Sequence, residues 1–341
     1  MKNVLKKMIP KSIQLLIKKT FPFLSRSKVK LIKRSIFIFI INIFISLTKK
    51  LHWEGIRLIN NKLIGLREAV SFNLFDDHAF LTYVKRKKEG FAKYSSSIKT
   101  LVLRGSNADF GFYSPAWEGS YNLGLISSDL YTDYHLYINN KDKLDNLEKV
   151  IVFISVGSIG FSLIKTKERY RAVSYKYFFK IPYQDNECIN SFFEKQIFKK
   201  CKKINFQEID SNYRGYEKKN NYATNVLPQE RVKSHLRENR RQPDQLNWLK
   251  LLHEVIISDG RKLIIIMPPV RADYRNLLPP DSILFKKLYE LNLKEVKIIN
   301  FYTSELFSDE DFGDTDHLNE RGAIKLTNEI YRIFKKNGFM E

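Results

Sequence analysis

Two stretches far apart in the chain hold residue types that can run acyl chemistry. Ser106 lies in LVLRGSNADFGF, directly after a short apolar run. A serine hydroxyl is a weak nucleophile until a base takes its proton. Asp314, Asp316 and His317 lie in DFGDTDHLNERGA, near the other end. A histidine three residues from a carboxylate on one tight turn can have its imidazole oriented by that carboxylate. Nucleophile, base and orienting acid are the parts of a serine triad. Each part also has a plainer use. Ser106 can cap a helix, His317 can be a cap or surface residue, and Asp314 and Asp316 can favour the positive end of the helix that follows. The joint pattern is more specific than any one part.

For the two stretches to meet, the elements around them must bring them to one edge. Residues 100–104, 148–155, 263–267 and 296–302 read as four short buried strands, each ending in a polar turn. A helix is predicted over 244–258, with Leu249, Leu252, Val255 and Ile256 on its apolar face and Gly260 as its stop. Another is predicted over 319–336, with Ala323, Leu326, Thr327, Ile330 and Phe334 on one face. Strands alternating with helices predict an α/β fold, a mostly parallel sheet in a three-layer α/β/α arrangement. In such sheets function gathers at the carboxyl ends of the strands. Residues 161–242 interrupt the alternation, either to cap the site or to form a partner surface. The predicted organisation is an N-terminal extension over 1–95 and an α/β domain over 96–341 with an insertion at about 161–242.

The 341 residues carry a net charge of +22, and 43% are hydrophobic, enough for a sizeable core. Nearly all the charge lies in two segments. Residues 1–50 hold thirteen Lys or Arg and no Asp or Glu, and residues 195–241 hold thirteen basic against five acidic. The rest is about neutral, which argues against a nucleic-acid-binding fold. The uncharged run over 35–47 (SIFIFIINIFISL) is short of the roughly twenty apolar residues of a spanning helix. Residues 1–50 fit attachment to an anionic membrane surface. They also fit a segment buried against the main domain, and a short span is a third option. Two cysteines, Cys188 and Cys201, make neither a disulfide framework nor a zinc site. The cysteine usage and the absence of an export signal place the chain in the cytoplasm, peripheral at the inner face of the membrane if residues 1–50 attach there.

Gly105-Ser106 after the first strand, with Asp314-x-x-His317 before the last helix, resembles the SGNH/GDSL hydrolase superfamily. The blocks LVLRGSNADFGF, YNLGLISSDLYTDYHLY, VIVFISVGSIGF, LIIIMPPVRADYR and DTDHLNERGA are similar to bacterial SGNH-like proteins encoded with surface-polysaccharide genes, themselves similar to the D-alanyl transfer protein of teichoic acid modification. The likeness covers about residues 96–165 and 243–338. It implies an SGNH-like, flavodoxin-like sheet. It also implies Ser106 as nucleophile, His317 as general base and then acid, and Asp314 as the orienting carboxylate, with Asp316 the weaker candidate for that role. The Ser106 amide and a backbone N–H at Ser127 or Ser128 would bind the oxyanion. Asn107 could donate to the oxyanion or a sugar hydroxyl, and Arg271 could bind an anionic sugar or phosphate or be a solvated loop cation.

The function this implies is a serine-dependent esterase or O-acyltransferase. It would act on a glycan or acyl-glycan of the bacterial surface, through an acyl-serine, with no metal or organic cofactor. The chain departs from the family pattern at Arg104-Gly105-Ser106, where the motif usually reads Gly-Asp-Ser, at Asn107, where the branch commonly has His, and at Ser155-Val-Gly157-Ser158, which holds no Asn as a further oxyanion donor. These departures fit an alternative, a non-catalytic SGNH-like scaffold or carbohydrate-binding protein of polysaccharide biosynthesis. A third reading is a membrane-surface adaptor acting through residues 1–50. The sequence leaves the oligomeric state open.

Overall fold

The computed structural model describes residues 77–166, 168–183, 191–204, 213–219, 227–239 and 245–336, with Ile38 and Asn42 besides. The apolar run at 35–47 otherwise lies outside the described residues, as does Cys188. Among the described residues no helix is long and apolar enough to cross a membrane.

The four apolar runs are strands, and a fifth joins them. β1 (Thr100–Leu103), β2 (Ser120–Asn122), β3 (Lys149–Phe153), β4 (Lys262–Met267) and β5 (Lys297–Asn300) lie in the order β2-β1-β3-β4-β5. Every neighbouring pair is parallel, so the sheet is wholly parallel rather than mostly so. β2 has no apolar run to announce it. Its three residues, Ser-Tyr-Asn, are strand because Thr100, Leu101 and Val102 of β1 pair with them.

The described helices are α1 (Asp77–Tyr94), α2 (Gly105–Gly111), α3 (Leu130–Ile138), α4 (Tyr170–Phe179), α5 (Ser191–Lys202), α6 (Pro228–Asn239), α7 (Gln245–Ser258), α8 (Ala272–Arg275), α9 (Asp281–Glu290) and α10 (Glu320–Lys336). Side chains alternate across a strand, and the sheet uses both faces. Val102, Ile151, Phe153, Ile264, Ile266 and Ile299 share one core with Ala108 of α2 and Leu326, Ile330 and Phe334 of α10. The residues between them, Leu101, Leu103, Val150, Val152, Leu263 and Ile265, are buried as well. On that side α7 packs on β4 and on α3. The architecture is α/β, a parallel sheet between two helical layers. Both helices foreseen from periodicity are present, each beginning one residue later than predicted.

The chain divides into two compact units, residues 1–81 with 184–204, and residues 82–183 with 205–341. The leading segment of the first unit ends at 81, inside α1. Most of α1 belongs with the sheet because its charges are used there. Lys87, almost wholly buried, ion-pairs with Asp109 and donates to the Asn122 carbonyl at 3.1 Å. Tyr83 donates to Asp109 at 2.7 Å. The insertion is divided too, since 184–204 fall in the first unit and the rest in the sheet unit. The described part of the first unit includes α5, where Ile197 and Cys201 are buried.

Candidate active site

Parallel strands end at one edge, and their polar turns line one cavity of about 420 Å³ there. The strand order reverses between β1 and β3, so the turns after them part and leave room between. Residues after β1, β2, β3 and β5 all border the cavity.

Ser106 comes from the turn between β1 and α2. Arg104 makes that turn with a positive φ of 92°, followed by Gly105 at 66°. A non-glycine residue held there costs about 1–3 kcal/mol. The buried guanidinium explains why arginine persists. It donates to the Ser128 and Ser158 carbonyls, each at 2.9 Å, and lies 3.8 Å from Asp133. One side chain thus ties together the turns after β1, β2 and β3. The Gly105 amide donates to Ser128 Oγ at 2.8 Å, and Ser128 donates to Asp133 at 2.9 Å.

His317 comes from the loop between β5 and α10. Asp314 accepts from the amides of Asp316 and His317 at 3.0 and 2.9 Å, closing a tight turn. Both Asp314 carboxylate oxygens lie 2.9 Å from His317 Nδ1. On the other side of the ring, Nε2 is 2.7 Å from Ser106 Oγ. The ring packs edge-on against Phe110 at 5.4 Å. The two stretches meet in the order serine, histidine, aspartate. Burial alone would raise the Asp314 carboxyl. The charge and hydrogen bond of His317, with the Lys219 ammonium 3.2 Å away, outweigh it and hold Asp314 well below the usual carboxylate range.

The other anticipated residues divide. The Ser128 amide is spent on the Leu125 carbonyl at 2.8 Å and its hydroxyl on Asp133, so Ser128 is a structural residue of the turn. Ser127, at φ 62°, is the serine of that turn whose amide can face the cavity. Its hydroxyl is held by Glu168 and Arg171. Asn107 lines the cavity, but its side-chain amide donates to the Asp316 carbonyl at 2.9 Å, joining the serine turn to the histidine loop. Arg271 is not among the lining residues. Its guanidinium makes a fork on Asp273 at 2.8 and 2.6 Å, and its amide holds the Thr315 carbonyl at 3.1 Å. Of the two readings of Arg271, this arrangement is nearer to the loop cation, with the residue bracing the loop.

Sequence reasoning allowed the insertion to cap the site but named none of the residues it brings there. α6 presents Arg231, Ser234, His235 and Glu238 to the cavity. Asn239 at its end donates to the Gly157 carbonyl and accepts from the Gly160 amide at 2.8 Å, gripping the turn after β3. Arg231 makes a bidentate pair with Asp316 at 2.9 and 3.0 Å. His235 Nδ1 meets the Tyr274 hydroxyl at 2.5 Å, and burial pushes the ring down to about 4, so it is neutral. The signal was present: these residues recur at i, i+3, i+4 and i+7 after a helix-starting Pro228. They form a polar stripe, and an apolar stripe is what marks a buried helix face.

Asp314, Asp316 and His317 could also gather a cation, with one ligand atom each within 4.8 Å. Their atoms are committed to one another, to Ser106 and to Arg231, which suits a proton relay better than a metal centre.

No protein-family model matches the chain. No curated protein matches it either. A solved structure from Streptococcus pneumonia, described as "a putative platelet activating factor", aligns over 77% of this chain and 98% of its own at 11% identity, with a TM-score of 0.39. A likeness that slight decides neither fold nor activity.

Proposed function

We propose that the chain is a serine-dependent esterase or O-acyltransferase whose substrate is an O-acylated glycan or its precursor. One observation carries the reading: the hydrogen-bonded line from Ser106 Oγ through His317 to Asp314 at the mouth of a cavity. In the first step Ser106 Oγ attacks the ester carbonyl and passes its proton to His317 Nε2. Asp314 holds Nδ1–H and stabilises the imidazolium. The Ser106 amide, in the first turn of α2 and without an intrahelical acceptor, and the Ser127 amide are the groups available to the oxyanion. His317 then returns the proton to the leaving hydroxyl, leaving an acyl-serine. Water or a sugar hydroxyl, deprotonated by His317, takes the acyl group and restores Ser106.

Charge balance supports a neutral reacting group. Arg104, Arg171, Lys219 and Arg231 around the cavity are matched by Glu168, Glu238, Asp314 and Asp316. A phosphate or sulfate site would carry excess cation. Aromatic Phe110, Phe153 and Phe161 beside Ser127, Ser155, Ser158 and Ser234 suit a sugar ring with a short acyl chain. The glycan assignment rests on the resemblance of the sequence blocks; the acyl chemistry rests on the geometry.

The test is covalent labelling with a fluorophosphonate. The folded wild-type chain should be modified at Ser106, mapped by mass spectrometry. Ser106→Ala and His317→Ala should both abolish labelling while keeping the wild-type circular dichroism and melting. A folded wild-type chain that stays unlabelled would sink the reading and leave the non-catalytic glycan-binding alternative.

A further inference from the structure

Two carboxylates flank His317, and an imidazole in a serine triad has use for one. Asp314 holds Nδ1 with both oxygens at 2.9 Å. Asp316 lies on the opposite side, with Oδ2 3.8 Å from Nε2, the nitrogen that meets Ser106 at 2.7 Å. A carboxylate is a stronger acceptor than a neutral hydroxyl. A small side-chain rotation would bring Asp316 onto Nε2. The ring would then carry protons on both nitrogens, as an imidazolium between two carboxylates. It would have no lone pair for the Ser106 proton.

The structure assigns Arg231 the task of preventing this. We infer that Arg231, delivered by the insertion, is a positioning residue that clamps both oxygens of Asp316 and so reserves His317 Nε2 for Ser106. The inference rests on the triad reading above and names what regulates that triad. The fork geometry at 2.9 and 3.0 Å uses the two oxygens that would otherwise turn toward the ring. Thr315 Oγ1 adds a third donor to Oδ1 at 3.1 Å. The clamp is not needed to hold α6 in place. Asn239 already fastens that helix to Gly157 and Gly160, and His235 fastens it to Tyr274. The pairing also keeps Asp316 ionised. Burial would raise its carboxyl, but His317, Arg231 and His235 bring it down to about 2. Without Arg231, Oδ2 would still lie 3.8 Å from Nε2 with nothing gripping both oxygens of the carboxylate.

The charged and titratable groups that face His317 come from four places: Asp314 and Asp316 on its own loop, Ser106 on α2, Arg231 and His235 on α6, and Lys219 through Asp314. Tyr274 faces Asp316 from α8, with burial holding its hydroxyl protonated. Arg231 is the one that grips Asp316 directly through both oxygens.

The experiment is the initial rate of fluorophosphonate labelling of the full chain between pH 5 and 9. Arg231→Gln should slow labelling at pH 7 by about 10- to 100-fold, the range typical of groups that orient an active residue, and should move the acid-side midpoint upward. Adding Asp316→Asn to Arg231→Gln removes the competing carboxylate, so it should restore most of the rate and return the midpoint. A merely structural arginine would not be rescued by changing its partner. Arg231→Gln labelled at the wild-type rate, or a double variant with normal melting and no recovery, would overturn the inference while leaving the triad reading intact. A folded wild-type chain that is not labelled at all would overturn both. If Arg231→Gln fails to fold, ¹⁵N spectra of His317 in the wild-type chain decide: a neutral ring protonated at Nδ1 at pH 7 is expected, and an imidazolium overturns the clamp.

Discussion

At the scale of single residues, Asp314 does more than orient a ring. It accepts from two backbone amides, holds Nδ1 and meets Lys219. Its depressed pKa means it stays ionised through the neutral range, so its stabilising effect is present above the ordinary carboxylate range and lost as pH falls below it. Asp314→Asn would keep the turn's shape while offering Nδ1 no charged acceptor. Labelling of Ser106 should fall by roughly three to four orders of magnitude with little change in fold, read by labelling rate against a melting curve. A drop of less than tenfold would shift the orienting role away from Asp314. Arg104 illustrates the opposite economy, a residue in an unfavourable backbone region that persists because its guanidinium satisfies the buried Ser128 carbonyl and the half-buried Ser158 carbonyl.

At the scale of elements, the histidine loop is set by how α10 begins. Gly322, in the first turn of α10, has no room for a side chain. A Cβ there would lie 2.2 Å from the Asp311 carbonyl and 2.8 Å from Leu318. Gly322→Ala must push the 311–319 loop outward or shift the helix. It should cost about 1–3 kcal/mol of stability, as overpacking does, and should also lower the labelling rate, because the displaced loop carries Asp314 and His317. Loss of stability alone, with a wild-type rate per folded molecule, would show that the loop adjusts. The insertion acts at this scale too. α6 rests on the turn after β3 and on α8, so the polar stripe of Arg231, Ser234, His235 and Glu238 becomes one wall of the cavity.

At the scale of the whole molecule, buried acids set a pH dependence. Burial pushes the Asp133 carboxyl up to about 7, against the pull of Arg104 and the Ser128 hydrogen bond. An acid raised in the folded state binds its proton more tightly there than in the unfolded chain. Its contribution is full below the unfolded pKa and is lost as pH rises through the folded value. Stability should therefore fall between about pH 4 and pH 7 through this group, the inverse of the Asp314 and Asp316 effect. Urea unfolding at pH 5 and pH 8 should show a smaller difference for Asp133→Asn, whose carbonyl can still accept from Ser128. An unchanged difference would mean that Asp133 stays ionised in the folded chain.

The sequence by itself determined the alternation of strand and helix, because buried parallel strands are continuous apolar runs and α10 carries its stripe at helical spacing. It also marked Ser106, Asp314 and His317, because those residue types sit in the turns where such a sheet does its chemistry. β2 was hidden, since Ser-Tyr-Asn has no pattern of its own and becomes strand through pairing. The burial of Lys87 beside Asp109 was likewise hidden, since a lysine in a charged stretch gives no sign of its partner. Only the tertiary structure decided what Asn107, Ser128 and Arg271 do, because a polar side chain takes whichever partner the fold brings within about 3 Å. It alone brought Arg231 to Asp316, since a contact between segments that far apart follows from the packing of α6 over the sheet edge and leaves no spacing in the chain to read.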